Sequence, residues 1–177
     1  MNAVLINISL FKAGWLAAVF SAAASFPILG TLAIAVAVAT HLLRSDNRAD
    51  EVRLLAIAAA LGFAWESLLV SAGLVNYAVD TLIPGTAPYW IVAMWVLFAT
   101  TLNIGMRWLR KSLVVAAIFG GIGGPLSFLA GSKAGAVSFP EPTVSLIVIG
   151  IGWAIMLPLL VRYASRDEAR AAVEATP

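Results

Sequence analysis

The chain has 177 residues, 62% of them hydrophobic and 11% charged, with a formal net charge of +2, and its mean hydropathy is +0.97. A soluble domain carries roughly a quarter charged residues, so the composition describes a single domain embedded in a lipid bilayer, and the small net charge argues against nucleic-acid binding. The absence of cysteine removes disulfides, thiolate metal sites and cysteine nucleophiles. A single histidine, His41, excludes a multi-histidine metal site or relay within one subunit. No metal and no cofactor are expected.

Spanning a bilayer takes about 20 mostly apolar residues per helix, and six windows meet that length: 4–24, 26–43, 54–73, 89–108, 112–131 and 144–163. Turn chemistry or charge separates them: Ser25-Phe26-Pro27, the charged stretch 44–53, Ile83-Pro84-Gly85, Arg110-Lys111-Ser112, and Phe139-Pro140-Glu141-Pro142. The alternating pattern of a barrel is missing. The expected fold is therefore all-α and integral to the membrane: a six-transmembrane-helix bundle over 1–164, followed by a short charged cytoplasmic tail, 165–177. A signal peptide ending near Ala22-Ala23-Ala24 is the rival for the first window. Its n-region would itself be apolar, with its one lysine late, which favours a first span.

Basic residues set the orientation. Arg44, Arg48 and Arg53 share one loop, Arg107, Arg110 and Lys111 another, and Arg162, Arg166 and Arg170 follow the last window, whereas the intervening loops hold only Lys133. This places both termini in the cytoplasm.

Chemistry-bearing residues are few. Glu66 lies in the third window, thirteen residues beyond Arg53, or about 20 Å of helix rise. An intramembrane acid marks a working site by default. Lys12, in the first window, either pairs with Glu66 or extends to the interface. Asn7, His41 and Asn103 suit interhelical or interfacial hydrogen bonds and suggest, with Lys12, a polar pocket toward the cytoplasm. Ser67 adjoins Glu66 as a small hydroxyl. In the fifth window, Gly120 and Gly124 have the spacing of close helix contacts, and Pro125 removes the donor for Gly121. The expectation is a kinked or broken fifth helix at Gly123-Gly124-Pro125, facing the interior, where freed backbone finds partners. Serine-nucleophile motifs, paired carboxylates and zinc signatures are lacking.

Four stretches carry a resemblance: Phe11-Lys12-Ala13-Gly14-Trp15, Trp65-Glu66-Ser67-Leu68-Leu69, the run 95–103 ending Thr100-Thr101-Leu102-Asn103, and 120–131 with its Gly-Gly-Pro. In this order and spacing the chain resembles a family of small bacterial inner-membrane proteins known only as domain of unknown function 2878. That family often has an amide at the position of Lys12 and Asp at that of Glu66. The resemblance implies a multi-pass protein of the bacterial inner membrane, and it supplies no activity or cofactor.

One intramembrane acid beside a breakable helix, without a catalytic pair, favours a non-enzymatic bundle that binds or moves a small amphiphile or lipid. Its candidate ligand-binding residues are Glu66, Lys12, Asn103, Ser67, Gly124 and Pro125. Two alternatives stand beside it. One is a membrane enzyme, or an accessory subunit, in lipid or fatty-acid modification. The other is an assembly protein that docks a membrane-protein partner through its glycine-rich fifth helix.

Overall fold

A computed structural model describes residues 2–79, 81 and 83–174, with side chains as far as Arg166. Among these residues there are six α-helices, α1 (Ala3–Ala23), α2 (Pro27–Leu43), α3 (Arg48–Ser71), α4 (Tyr89–Ala99), α5 (Leu113–Lys133) and α6 (Pro142–Glu174), and a 3-10 turn at Arg107–Lys111. Two short strands, β1 (Asn76–Tyr77) and β2 (Val137–Ser138), pair antiparallel.

Local chemistry sets these boundaries. The Asn2 side chain caps α1 by accepting from the Val4 N–H at 3.1 Å. Pro27 starts α2, where its missing N–H costs nothing. Asn47 caps α3, and Asp50 and Glu51 in its first turn suit the positive end of the helix dipole. α3 and α5 end alike. Gly73 (φ +67°) and Gly135 (φ +87°) adopt left-handed backbone, and the next N–H groups, of Leu74 and Ala136, reach back to Leu69 and Gly131 at 3.0 Å. Each closure leads directly into one of the two paired strands. The strand pair therefore clips α3 to α5 at the end of the bundle away from the arginine-rich turns.

Four helices are long and apolar enough to cross a membrane: Ala3–Ala23, Arg48–Ser71, Leu113–Lys133 and Pro142–Arg166. Their outward faces carry large apolar side chains, among them Leu5, Phe20, Val114, Ile122, Ile151 and Leu159, as expected of helices that are apolar all round. α2 is shorter, at 17 residues.

The fourth window is not one helix. α4 stops after 11 residues, and the chain continues through turns before the 3-10 segment. The cause lies in Thr100 and Thr101. Their hydroxyls donate to the carbonyls of Leu97 and Phe98 at 2.7 Å, offering the backbone an alternative to the helical ladder. The N–H of Met106 then closes onto the Thr101 carbonyl at 2.7 Å. Thr100, Thr101 and Leu102 are all buried, so this irregular backbone is held within protein, where its polar groups find partners.

Conversely, α5 runs as one α-helix through Pro125, and the break expected at Gly-Gly-Pro is not there. α6 makes the proline tolerable. Gly150 faces it, and a Cβ at that position would come within 3.2 Å of the Pro125 ring and 3.1 Å of the Gly121 carbonyl oxygen. The interruption foreseen for α5 is found instead after α4.

Candidate functional site

Glu66 is fully buried in the last two turns of α3. Its Oε1 accepts from the indole N–H of Trp95 on α4 at 2.9 Å, and its Oε2 from the hydroxyl of Tyr77 on β1 at 2.5 Å. Tyr77 reaches back because the Gly73 turn and the strand clip fold the post-α3 segment over the helix end. An aromatic shell surrounds the carboxyl. Trp95 stacks on Trp153 of α6 with centroids 4.6 Å apart, Phe98 meets Trp153 edge-on at 5.1 Å, and Trp90 meets Tyr77 edge-on at 5.5 Å. Glycines seat these rings: a side chain at Gly62 would overlap Trp95, and one at Gly124 would come within 2.5 Å of Trp153.

On one side this shell is open. α1 and α5 do not close against each other, and an apolar cleft separates them. Its larger part, about 450 Å³, is bounded by residues that include Lys12, Trp15, Phe119, Gly123, Trp153 and Leu157. A smaller chamber of about 80 Å³ continues toward the strand clip, and Glu66, Tyr77 and Trp95 form part of its wall. Phe11, Trp15, Phe98, Ser127 and Trp153 border both spaces. The Trp15 indole N–H donates to the Ser127 hydroxyl at 3.2 Å, a strap from α1 to α5 where the two spaces meet. The cleft exists because α5 lacks side chains there: a Cβ on Gly123 would meet no atom within 4 Å. Leu16, Phe119 and Ser127 on its rim are exposed, so the opening is lateral, toward where lipid lies around the bundle.

Of the candidates named from sequence, Lys12 and Gly124 border the larger space and Glu66 the smaller. Lys12 does not pair with Glu66, whose two oxygens are held by Tyr77 and Trp95. Gly124 and Gly120 pack on Trp153 and Leu157 of α6, while Pro125 lies against Gly150. Ser67 is engaged elsewhere, accepting from the Ala87 N–H at 2.9 Å and pinning the segment before α4.

Asn103 belongs to a different cluster at the opposite end. Its side-chain amide donates to Glu51 Oε1 at 2.6 Å, Arg110 donates to Asn103 Oδ1, and His41 Nε2 lies 2.9 Å from Glu51 Oε2. Glu51 and His41 are buried. Burial, reinforced by the nearby Arg107 charge, lowers the Arg110 pKa from its ordinary value, with Glu51 opposing. Asn7 donates to the Thr100 carbonyl at 3.0 Å, in the turn segment that also carries Asn103. Of the polar residues expected to share a pocket, His41 and Asn103 meet at Glu51 and Asn7 binds the same post-α4 segment, while Lys12 borders the cleft.

Sequence reasoning missed Tyr77, Trp95 and Glu51. Glu51 was hidden among the arginines of its loop. Tyr77 had a faint signal, a tyrosine eleven residues after an intramembrane acid and just past a glycine turn. Among the described residues no group of three or more metal-binding side chains occurs. A family model described as protein of unknown function (DUF2878) matches residues 4–159. No curated protein and no solved structure matches the chain.

Proposed function

The chain belongs to the DUF2878 family, and for it we propose the binding of an amphiphile, with the apolar part lying between α1 and α5. The observation that carries this reading is the lateral cleft itself. Its larger part, about 450 Å³, falls within the range of small-molecule sites, which are mostly apolar with a few placed polar groups. Aromatic side chains make up much of its wall, with the Lys12 ammonium on the rim, the Ser127 hydroxyl where the spaces meet and the Glu66 carboxyl at the inner end. Gly123 keeps the space open without serving any helix contact. The alternative of docking through the glycines of α5 loses support, because Gly120 and Gly124 already face α6. Six crossings with both termini in the cytoplasm of a bacterial inner membrane remain part of the proposal, the α4 crossing being completed by the rest of the 89–108 window.

A structure determined by electron microscopy in nanodiscs of native lipid tests the reading. Elongated density between Trp15 and Gly123, ending near Lys12 or Glu66, is the expected result. A cleft collapsed by contact of α1 with α5 would refute it.

A further inference from the structure

Lys12 gives the ligand a charge and a direction. It stands nine residues from the start of the 21-residue helix α1, about 13 Å from one end and 16 Å from the other. It is therefore at mid-span whichever way the helix points. Its side chain is exposed and borders the larger part of the cleft. Among the described residues no salt bridge involves Lys12. An ammonium at that depth is costly unless an anion or water accompanies it. Glu66, the carboxyl nearest to hand along the cleft, is turned toward Tyr77 and Trp95.

We infer that the amphiphile carries an acidic head, held by Lys12 at the cleft rim, with its chain directed past the Trp15–Ser127 strap toward the Glu66 end. The inference rests on the proposed use of the cleft and adds the chemical class of ligand. Two features agree on direction. A negative head is drawn to Lys12, the cationic side chain among the residues bordering the two spaces. The walls between them, Phe11, Trp15, Phe98 and Trp153, are aromatic and suit a hydrocarbon chain. A carboxylate and a phosphate monoester share the required chemistry, so a free acid and a lipid phosphate are both acceptable sources.

Quenching of the cleft tryptophans by three brominated chains of equal length tests this: one ending in a carboxylate, one in a phosphate monoester, one in an alcohol. Titrations are run at pH 7 on the purified protein in nanodiscs, with Gly123→Leu as the blocked cleft. The expected result is saturable quenching by at least one of the acidic chains, about tenfold tighter than the alcohol, the gap lost in Lys12→Gln and recovered in Lys12→Arg. Which acidic chain binds more tightly separates the two sources. Equal binding of acid and alcohol, or a preference unchanged in Lys12→Gln, overturns the role of Lys12 and leaves the cleft reading standing. Quenching that is non-saturable for all three chains, or identical in Gly123→Leu, overturns the cleft reading and the inference with it. Lys12 is exposed, so neither substitution opens a cavity.

Discussion

Glu66 illustrates how a buried acid is made tolerable one bond at a time. Both of its oxygens accept from neutral donors, one indole and one phenol. In Glu66→Gln the amide oxygen can keep the Trp95 bond while the amide nitrogen donates to the Tyr77 oxygen, which is also an acceptor. The variant should therefore melt within a few degrees of the parent in detergent. Glu66→Leu strands the Trp95 N–H and the Tyr77 hydroxyl, each at about 1–3 kcal/mol, and should lower the melting temperature clearly. If the two variants melt alike, the carboxyl is not the hub of this shell. The glycines differ just as sharply. Gly124→Leu drives a side chain into the Trp153 ring and should be strongly destabilising. Gly123→Leu, one residue earlier, enters open space and removes a helix-interior glycine, worth about 0.5–1 kcal/mol. It should melt no lower than the parent.

Among elements, the most exacting piece is the segment after α4, tied to α3 through Asn103 and Glu51 and to α1 through Asn7. Glu51→Ala would leave buried His41 and the Asn103 amide without their shared acceptor, at about 1–3 kcal/mol for each unsatisfied group. Asp50→Ala breaks two exposed contacts, the Asp50–Arg53 pair and the bond that the Asn47 amide donates to Asp50, the pair being worth less than about 1 kcal/mol. Thermal melting of the two variants should separate them widely; equal losses would deny Glu51 its linking role. Pro125→Ala belongs at this scale too. Because α5 is already continuous, alanine restores the donor to Gly121 and should be near neutral. A large loss would mean that the contact of the proline ring with Gly150 matters more than the helical hydrogen bond.

For the molecule as a whole, hydropathy made the helical class and most helix boundaries legible, because apolar runs bounded by Pro, Gly and charge report directly on chain position in a bilayer. α1, α2, α3 and α5 lie close to their expected windows for that reason. The two irregularities were exchanged. Proline is a local signal, but whether it breaks a helix depends on the partner surface, and Gly150 lies on another helix. Thr100 and Thr101 look innocuous in sequence, yet their hydroxyls end α4 once Asn7 and the packed turn are there to hold the result. Glu66 stood out because charge in an apolar run is visible residue by residue. Its partners Tyr77 and Trp95 were not visible, since they arrive through the strand clip and the α3–α4 contact. The orientation of the bundle has its own measurement. Phosphatase fusions in the Ile83-Pro84-Gly85 loop should be active and those at Pro177 silent, and the reverse pattern would place the arginine-rich turns outside.

The central claim, that the cleft between α1 and α5 holds an amphiphile, is most directly tested by native mass spectrometry of the parent and Gly123→Leu, purified identically and matched for melting temperature. A co-purifying adduct on the parent that is lost from Gly123→Leu is the result expected here. An equally folded Gly123→Leu protein carrying the same adduct at the same occupancy would contradict it.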